Sequence, residues 1–480
     1  MSADAPAATD PGAHRWTMVT ATLLVLAALP SFVNRLLLAT QRIPLNYNEG
    51  WNALHADRLR QGLALYPPPG GPIANNYPPL SFHLVALLGG EGDLIPVLRL
   101  LSLLGLAATI ALSGATVAFV GRSRLAGGLT AALLFATFAI PFREYVAMAD
   151  PALLAHGFLA MAMYIAARWW ESDRMLRWAL VFQLLAGLTK HNLVALPVAM
   201  ALALLLDSRA RGLILIALGV PMGGAAIALL RYGYGADALH SILASRQIQL
   251  ATATAKLRNF LPPIVLPMVA GLVGGVLTLT RPVERMFLLY LVLSVALASF
   301  FAAGAGTNVN IFFDAAIASA VLCGLLVARL NATSHPRWMA YAPLVLGLSL
   351  VLPAKASWQE AREQQLEGGM ARRVAETADD LRLMTSTPGP VACEILALCY
   401  WAGKGFELDF FNANQALVTG RAGPENLRTR LNSGRYAMVQ LVRVTKTRFR
   451  LADTDTLGLV ARYETVRTSS NGVLLVPRRR

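Results

Sequence analysis

Residues 46–80 read NYNEGWNALHADRLRQGLALYPPPGGPIANNYPPL, and the placement of this stretch relative to a bilayer decides the fold. Glu49 opens a helix-like run that lasts through Gln61, where Gly62 stops it and Tyr66-Pro67-Pro68-Pro69 breaks the chain. Within the run Glu49, Asn52, Ala53, Ala56 and Arg60 share one face, and Trp51, Leu54, His55 and Arg58 lie around the other. This pattern predicts an interfacial helix over 49–61, anchored at headgroup level by Trp51. Taken alone, Glu49 is explained equally well as an acid that favours a helix N-terminus through the macrodipole.

Outward from this stretch the chain is strongly apolar. The run from Trp16 to Leu38 is long enough for a hydrocarbon core of roughly 30 Å and ends without a small-residue cleavage site, so it reads as a retained span. With 56% hydrophobic and 14% charged residues, the chain has too little polar surface for a soluble protein of 480 residues. Apolar runs at 94–120, 125–141, 151–167, 178–189, 192–206, 213–230, 260–280, 286–302, 311–328 and 338–354 bring the expectation to about eleven transmembrane helices, mainly α overall. The two short runs around Lys190 also fit a re-entrant pair.

Loop charges orient the bundle. Arg122, Arg124, Arg168, Arg174, Arg177, Arg209, Arg211, Arg281, Arg285, Arg329 and Arg337 fall on alternate turns, and the intervening short turns offer only Arg143 and Lys190. The Arg-rich turns and the N-terminus are therefore expected in the cytoplasm, with the first loop, 39–91, outside. The net charge of +15 sits largely in those turns, where it serves insertion and attracts anionic lipid, so nucleic acid is not an expected partner. After the membrane domain, 1–354, residues 355–480 lack a span-length apolar run and should form a small α/β domain outside. Its expected elements are a polar helix from Trp358 to Met384, a strand from Pro390 to Cys393, a helix from Ile395 to Trp401, and strand-like runs from Tyr436 to Val444 and Gly472 to Val476. Cys393 and Cys399 fit either a disulfide in an oxidising periplasm or buried free thiols. Cys323 is expected to face lipid or core.

Ionisable groups near the outer ends of spans are candidates for function. They comprise Glu49, Asp57, Arg58, Asp93, Arg99, Arg143, Glu144, Asp150, Lys190, His191 and Asp314. Asp150 precedes Pro151 and is also readable as a plain N-cap, while Arg143 beside acids suits a phosphate or an interfacial anchor. Lys190-His191-Asn192 interrupts an apolar run, where a snorkelling lysine is the competing explanation. Asn308, Asn310 and Asp314 form the last outer cluster. Asp453-Thr454-Asp455 has the form of a metal-chelating Asp-x-Asp without a clear strand to deliver it, and no P-loop, dinucleotide fingerprint, zinc motif or nucleophile elbow occurs.

The order of these segments resembles a known family. An acidic first loop with an aromatic helix and a Tyr77-Pro78-Pro79-Leu80 stretch, Arg143, Ala149-Asp150-Pro151, Gly187-Leu188-Thr189-Lys190, and a Gly-rich stretch before Asn308 and Asn310 are similar to the GT-C integral-membrane glycosyltransferases. The bacterial relatives of protein mannosyltransferases and aminoarabinose transferases are nearest. Where many members have Asp-Glu, this chain has Asn48-Glu49, so the base role passes to Glu49 or Asp150.

The resemblance implies a bacterial inner-membrane enzyme that moves a sugar, with inversion, from a polyprenyl-phosphate donor to a glycan, glycolipid or protein acceptor on the periplasmic face. A carboxylate must take the acceptor proton and cations must stabilise the departing phosphate. On this expectation Glu49 and Asp150 are catalytic, and Arg143, Lys190 and Arg58 hold the phosphate. Asn48, Asn52, His55, Tyr77, His191, Asn308, Asn310 and Asp314 line the cavity. No cofactor is required, and a divalent cation between Glu49 and Asp150 stays open. The competing expectations are a flippase for a lipid-linked sugar and a non-catalytic scaffold of an envelope-building complex.

Overall fold

The computed structural model describes residues 11–277, 279, 281–333, 337–442 and 462–478. The membrane domain opens with α1 (Pro11–Ala39), α2 (Asn48–Arg60), α3 (Leu80–Gly89), α4 (Leu94–Val120) and α5 (Arg124–Ala139). It continues through α6 (Ala152–Arg168), α7 (Asp173–Thr189), α8 (Ala195–Asp207), α9 (Arg209–Gly233) and α10 (Ala236–Ile242). The helices α11 (Leu250–Phe260), α12 (Pro262–Val276), α13 (Pro282–Ala302), α14 (Phe313–Ala332) and α15 (Ala342–Leu346) complete it.

Local chemistry sets many of the boundaries. Asp93 and Ser123 cap α4 and α5 by accepting hydrogen bonds from the N–H groups of Ile95 and Ala126, which replaces partners the first helical turn lacks. Five stretches are long and apolar enough to cross a bilayer: His14–Ala39, Leu94–Val120, Arg209–Gly233, Pro282–Ala302 and Val309–Ala332. Two bent helix pairs, kinked by 78° between α11 and α12 and by 46° near residue 350, bring this to as many as seven. Length and apolarity thus do not establish eleven separate spans. α5, α6, α8 and α3 are shorter apolar helices, and α14 is the post against which α4, α5, α12 and α13 pack.

Past the bundle come α16 (Val351–Gln365) and α17 (Gly369–Ser386). The single helix expected from Trp358 to Met384 is broken because Gly368 adopts φ 76°, a left-handed conformation that ends one helix and starts the next. The domain then adds β1 (Val391–Cys393), α18 (Leu396–Trp401), α19 (Phe410–Val418), α20 (Leu427–Asn432), β2 (Met438–Leu441), β3 (Tyr463–Ser469) and β4 (Gly472–Pro477). The sheet order is β1-β2-β4-β3, with Val391 beside Met438 in parallel and Val439 opposite Leu475 in the antiparallel pair. β1 and β2 are buried throughout, whereas β3 has one fully buried residue and mostly exposed neighbours. Cys393 and Cys399 form a disulfide between β1 and α18. Cys323 is a core thiol, its Sγ 2.9 Å from the Pro267 carbonyl. Asp453-Thr454-Asp455 lies outside the described residues.

Trp51 of α2 is buried inside the protein and does not project outward as the expected anchor. Residues 49–56 are buried on every side, because α18 of the C-terminal domain covers the face turned away from the bundle. A Cβ at Gly50 would lie 1.8 Å from the Ala397 backbone nitrogen, so the two helices meet backbone to backbone. Trp51 instead donates its indole N–H to Asp409 at 2.8 Å.

Candidate active site

The Glu49 carboxylate, fully buried at the start of α2, is saturated. Its Oε1 accepts from Arg99 Nε at 2.9 Å and from the Ala149 N–H at 3.0 Å, and its Oε2 accepts from Arg99 Nη2 at 2.8 Å and the Leu45 N–H at 2.7 Å. Arg99 in turn donates to the carbonyls of Ala39, Gln41 and Ile43. This is a two-pronged guanidinium–carboxylate pair whose remaining hydrogen-bonding capacity goes to the backbone, as a buried pair requires. Asn52 completes the arrangement by donating to the Ala149 carbonyl at 2.9 Å. Both backbone polar groups of Ala149 are thereby held, two residues after Ala147, which takes a positive φ of 56° uncommon for a residue with a Cβ.

The turn so fixed delivers Asp150. It is 2% exposed, its Oδ1 accepts the Ala152 N–H at 2.8 Å, and its Oδ2 has no hydrogen-bond partner among the described residues. Lys190, in the turn after α7, brings Nζ to 3.8 Å from Oδ1, close enough for an ion pair but too long for a hydrogen bond. The ammonium is buried and likewise lacks a hydrogen-bond partner among the described residues. Burial lowers its pKa, and the neighbouring Asp150 acts in the opposite direction. Its nearest aromatic neighbour is the ring of Tyr77, with the centroid 5.0 Å away.

Tyr77 also lines a narrow cleft of about 50 Å³ between the membrane domain and the C-terminal domain. Asn48, Trp51 and Asn76 line it from the first loop, Arg246 from the segment after α10, and Glu394, Asp409 and Asn412 from the C-terminal domain. Asp409 caps α19 by accepting from the Asn412 N–H, and burial raises its carboxyl above the usual range. Arg246 Nη1 donates to the Ala305 carbonyl, leaving the rest of a guanidinium at a cleft otherwise rich in amides and aromatic rings. Sequence reasoning passed over Arg246 and Asp409, since neither sits in an apolar run or a motif.

The remaining expected site residues are dispersed. Arg143 is held by Glu360 on α16 at 2.6 Å, and Arg58 donates twice to the Ala64 carbonyl. Asp314 lies inside the bundle, accepting from Tyr290 Oη at 2.8 Å with His156 Nε2 at 3.2 Å. His55 is buried among Trp51, Phe82 and Phe406, with Nε2 at 3.2 Å from the Ala74 carbonyl, and burial lowers its pKa to about 3. His191 is exposed. Asn308 caps the turn Val309–Phe312, in which Asn310 stands, two residues after the Gly306 that borders the cleft. Among the described residues no three His, Cys, Asp or Glu side chains gather to hold a metal ion, and the oxygens of Glu49 are already committed.

No family model and no curated protein sequence matches this chain. Two solved structures of ArnT from Cupriavidus metallidurans do. The apo form superposes with a TM-score of 0.58 at 15% identity, and the form bound to undecaprenyl phosphate with a TM-score of 0.56 at 16% identity. Each superposition covers 95% of this chain and 97% of the other. Over nearly its whole length, then, this chain has the GT-C fold of the ArnT structures.

Proposed function

We propose that the protein is a membrane glycosyltransferase that takes a sugar from a polyprenyl-phosphate donor and transfers it, with inversion, to an acceptor hydroxyl on the periplasmic face. The observation that carries this reading is the Asp150–Lys190 pair: a buried carboxylate oxygen and a buried ammonium, each lacking a hydrogen-bond partner among the described residues, beside the Tyr77 cleft. Unsatisfied buried polar groups are costly, and two of opposite charge facing each other beside a cleft are suited to a substrate that brings both a hydroxyl and a phosphate. The likeness to an ArnT structure bound to undecaprenyl phosphate supports the donor class. The C-terminal disulfide supports an oxidising compartment for that domain.

In this mechanism Asp150 is the general base. As the acceptor oxygen attacks the anomeric carbon, its proton passes to Asp150 and the bond to the donor phosphate breaks, leaving the electron pair on phosphate oxygen. Lys190 and Arg246 stabilise that charge. Glu49 and Asn52 are positioning residues, which act through Ala149 by fixing the turn that presents Asp150. Glycan, glycolipid and protein acceptors all supply the required hydroxyl. No step is routed through a cation.

The test is release of polyprenyl phosphate from a synthetic lipid-linked sugar by the purified protein, with envelope extract as acceptor. Release by the wild type and its loss in Asp150→Asn are expected. A wild type that leaves the donor intact while moving it across a vesicle membrane would be a transporter, and the reading fails.

A further inference from the structure

At the end of the bundle opposite the C-terminal domain lies a second cleft, of about 590 Å³, lined by Phe119, Arg122, Arg124, Arg281, Val283 and Glu284 among others. The two faces are separated by α4. Its first residue, Leu94, donates its N–H to Tyr400 of the C-terminal domain, and its 27 residues carry the chain about 40 Å to Val120.

Electrostatically this cleft is incomplete. Three guanidinium groups face one carboxylate, and Glu284 is already shared, 3.1 Å from Arg281 and 2.7 Å from Arg329. Neither Arg122 nor Arg124 has an ion-pair or side-chain hydrogen-bond partner among the described residues. Two helices begin here, α5 at Arg124 and α13 at Pro282, and two end here, α4 at Val120 and α6 at Arg168, so the macrodipoles largely offset one another and the excess positive charge is that of the arginines. Arg122 moreover adopts φ 50°, a left-handed position at the end of α4 where glycine is the cheaper residue. The walls are apolar: Phe119, Val120 and Val283 line them, and Arg168 Cζ lies over the Phe119 ring, 4.4 Å from its centroid.

We propose that this cleft binds the headgroup of an anionic phospholipid, with the phosphate between Arg122, Arg124 and Arg281 and the acyl chains against the Phe119 wall. The site is independent of the transferase reading, since it shares no residue with the Tyr77 cleft or the Asp150–Lys190 pair.

Native mass spectrometry of the full-length protein, equilibrated with equal phosphatidylglycerol and phosphatidylcholine, tests it. The wild type should retain phosphatidylglycerol in preference by roughly tenfold or more. Arg122→Gly combined with Arg124→Gln should bring the two lipids to within about twofold. The thermal midpoint should hold, because glycine suits the φ at 122; Arg124→Gln alone, an exposed substitution, should lower the preference in a folded protein. Arg174→Gln with Arg177→Gln removes exposed arginines outside the cleft and should leave the preference intact. Equal retention by the wild type overturns the site, as does an equal loss in the Arg174/Arg177 variant, which would mean diffuse surface charge. Displacement of the lipid by millimolar inorganic phosphate would make free phosphate the ligand and overturn the lipid assignment.

Discussion

Two buried acid–cation pairs lie on either side of Ala149, and they are opposites. In the Glu49–Arg99 pair every carboxylate oxygen is used twice and the guanidinium also anchors three carbonyls. In the Asp150–Lys190 pair the ions stand 3.8 Å apart with one carboxylate oxygen and the ammonium unsatisfied. Burial alone therefore does not separate the two acids, while hydrogen-bond accounting does, and the proposed mechanism assigns the reacting role to the unsaturated one. A saturated carboxylate is a joint, and its lone pairs are already committed to the fold. An unsaturated one beside a cleft still has something to bind.

Substitutions can break this contrast or sharpen it. The largest effect is expected at Asp150: Asp150→Asn should reduce polyprenyl-phosphate release by ~10²–10⁴-fold with little change in thermal stability. Near wild-type turnover would return the base role to Glu49. Next comes Glu49→Gln, which strands Arg99 and should cost about 3–5 kcal/mol, read as a lower unfolding midpoint in detergent. If stability holds and only turnover falls, Glu49 belongs to the chemistry. Replacement of both Glu49 and Arg99 by methionine should recover much of the lost stability, because a buried pair removed whole leaves no orphan charge.

Smaller effects should follow at the cations. Lys190→Ala is expected to weaken donor binding by roughly 10–100-fold and acceptor binding far less, measured as separate KM values. Arg246→Ala should act in the same direction. Asn52→Ala, which releases the Ala149 carbonyl, should lower kcat by about tenfold, a loss on the order of 1–1.5 kcal/mol, without altering donor KM. Arg143→Ala should leave donor KM nearly unchanged, since its partner is Glu360.

Much of the membrane domain was legible in the sequence because spans are set by length and apolarity, which single residues cannot hide. The expected run at 94–120 is the helix observed, and β1 and α18 fall within a residue of their expected starts. Asp150 and Lys190 were also legible, as charges where charge is costly, and the structure brings them together. What could not be read was partnership across the chain. Glu49 and Arg99 were both visible as outer ionisable groups, yet nothing local says that they neutralise each other. Trp51 had the composition of an interfacial anchor, and only Asp409, 358 residues away, makes it a buried donor. The break at Gly368 was missed for a different reason: it is decided by one left-handed backbone conformation, which hydrophobic periodicity does not report.

The bare contact at Gly50 has a consequence for how the protein is made. The cleft needs Asn48 and Trp51 from the chain's beginning and Glu394, Asp409 and Asn412 from near its end, and the two meet where Gly50 admits the Ala397 backbone and Trp51 donates to Asp409. During synthesis the first loop must therefore wait, half assembled, until more than three hundred further residues have been threaded through or across the membrane. Maturation is timed by the ribosome, and an interrupted chain holds a complete set of anchors around an unfinished cleft.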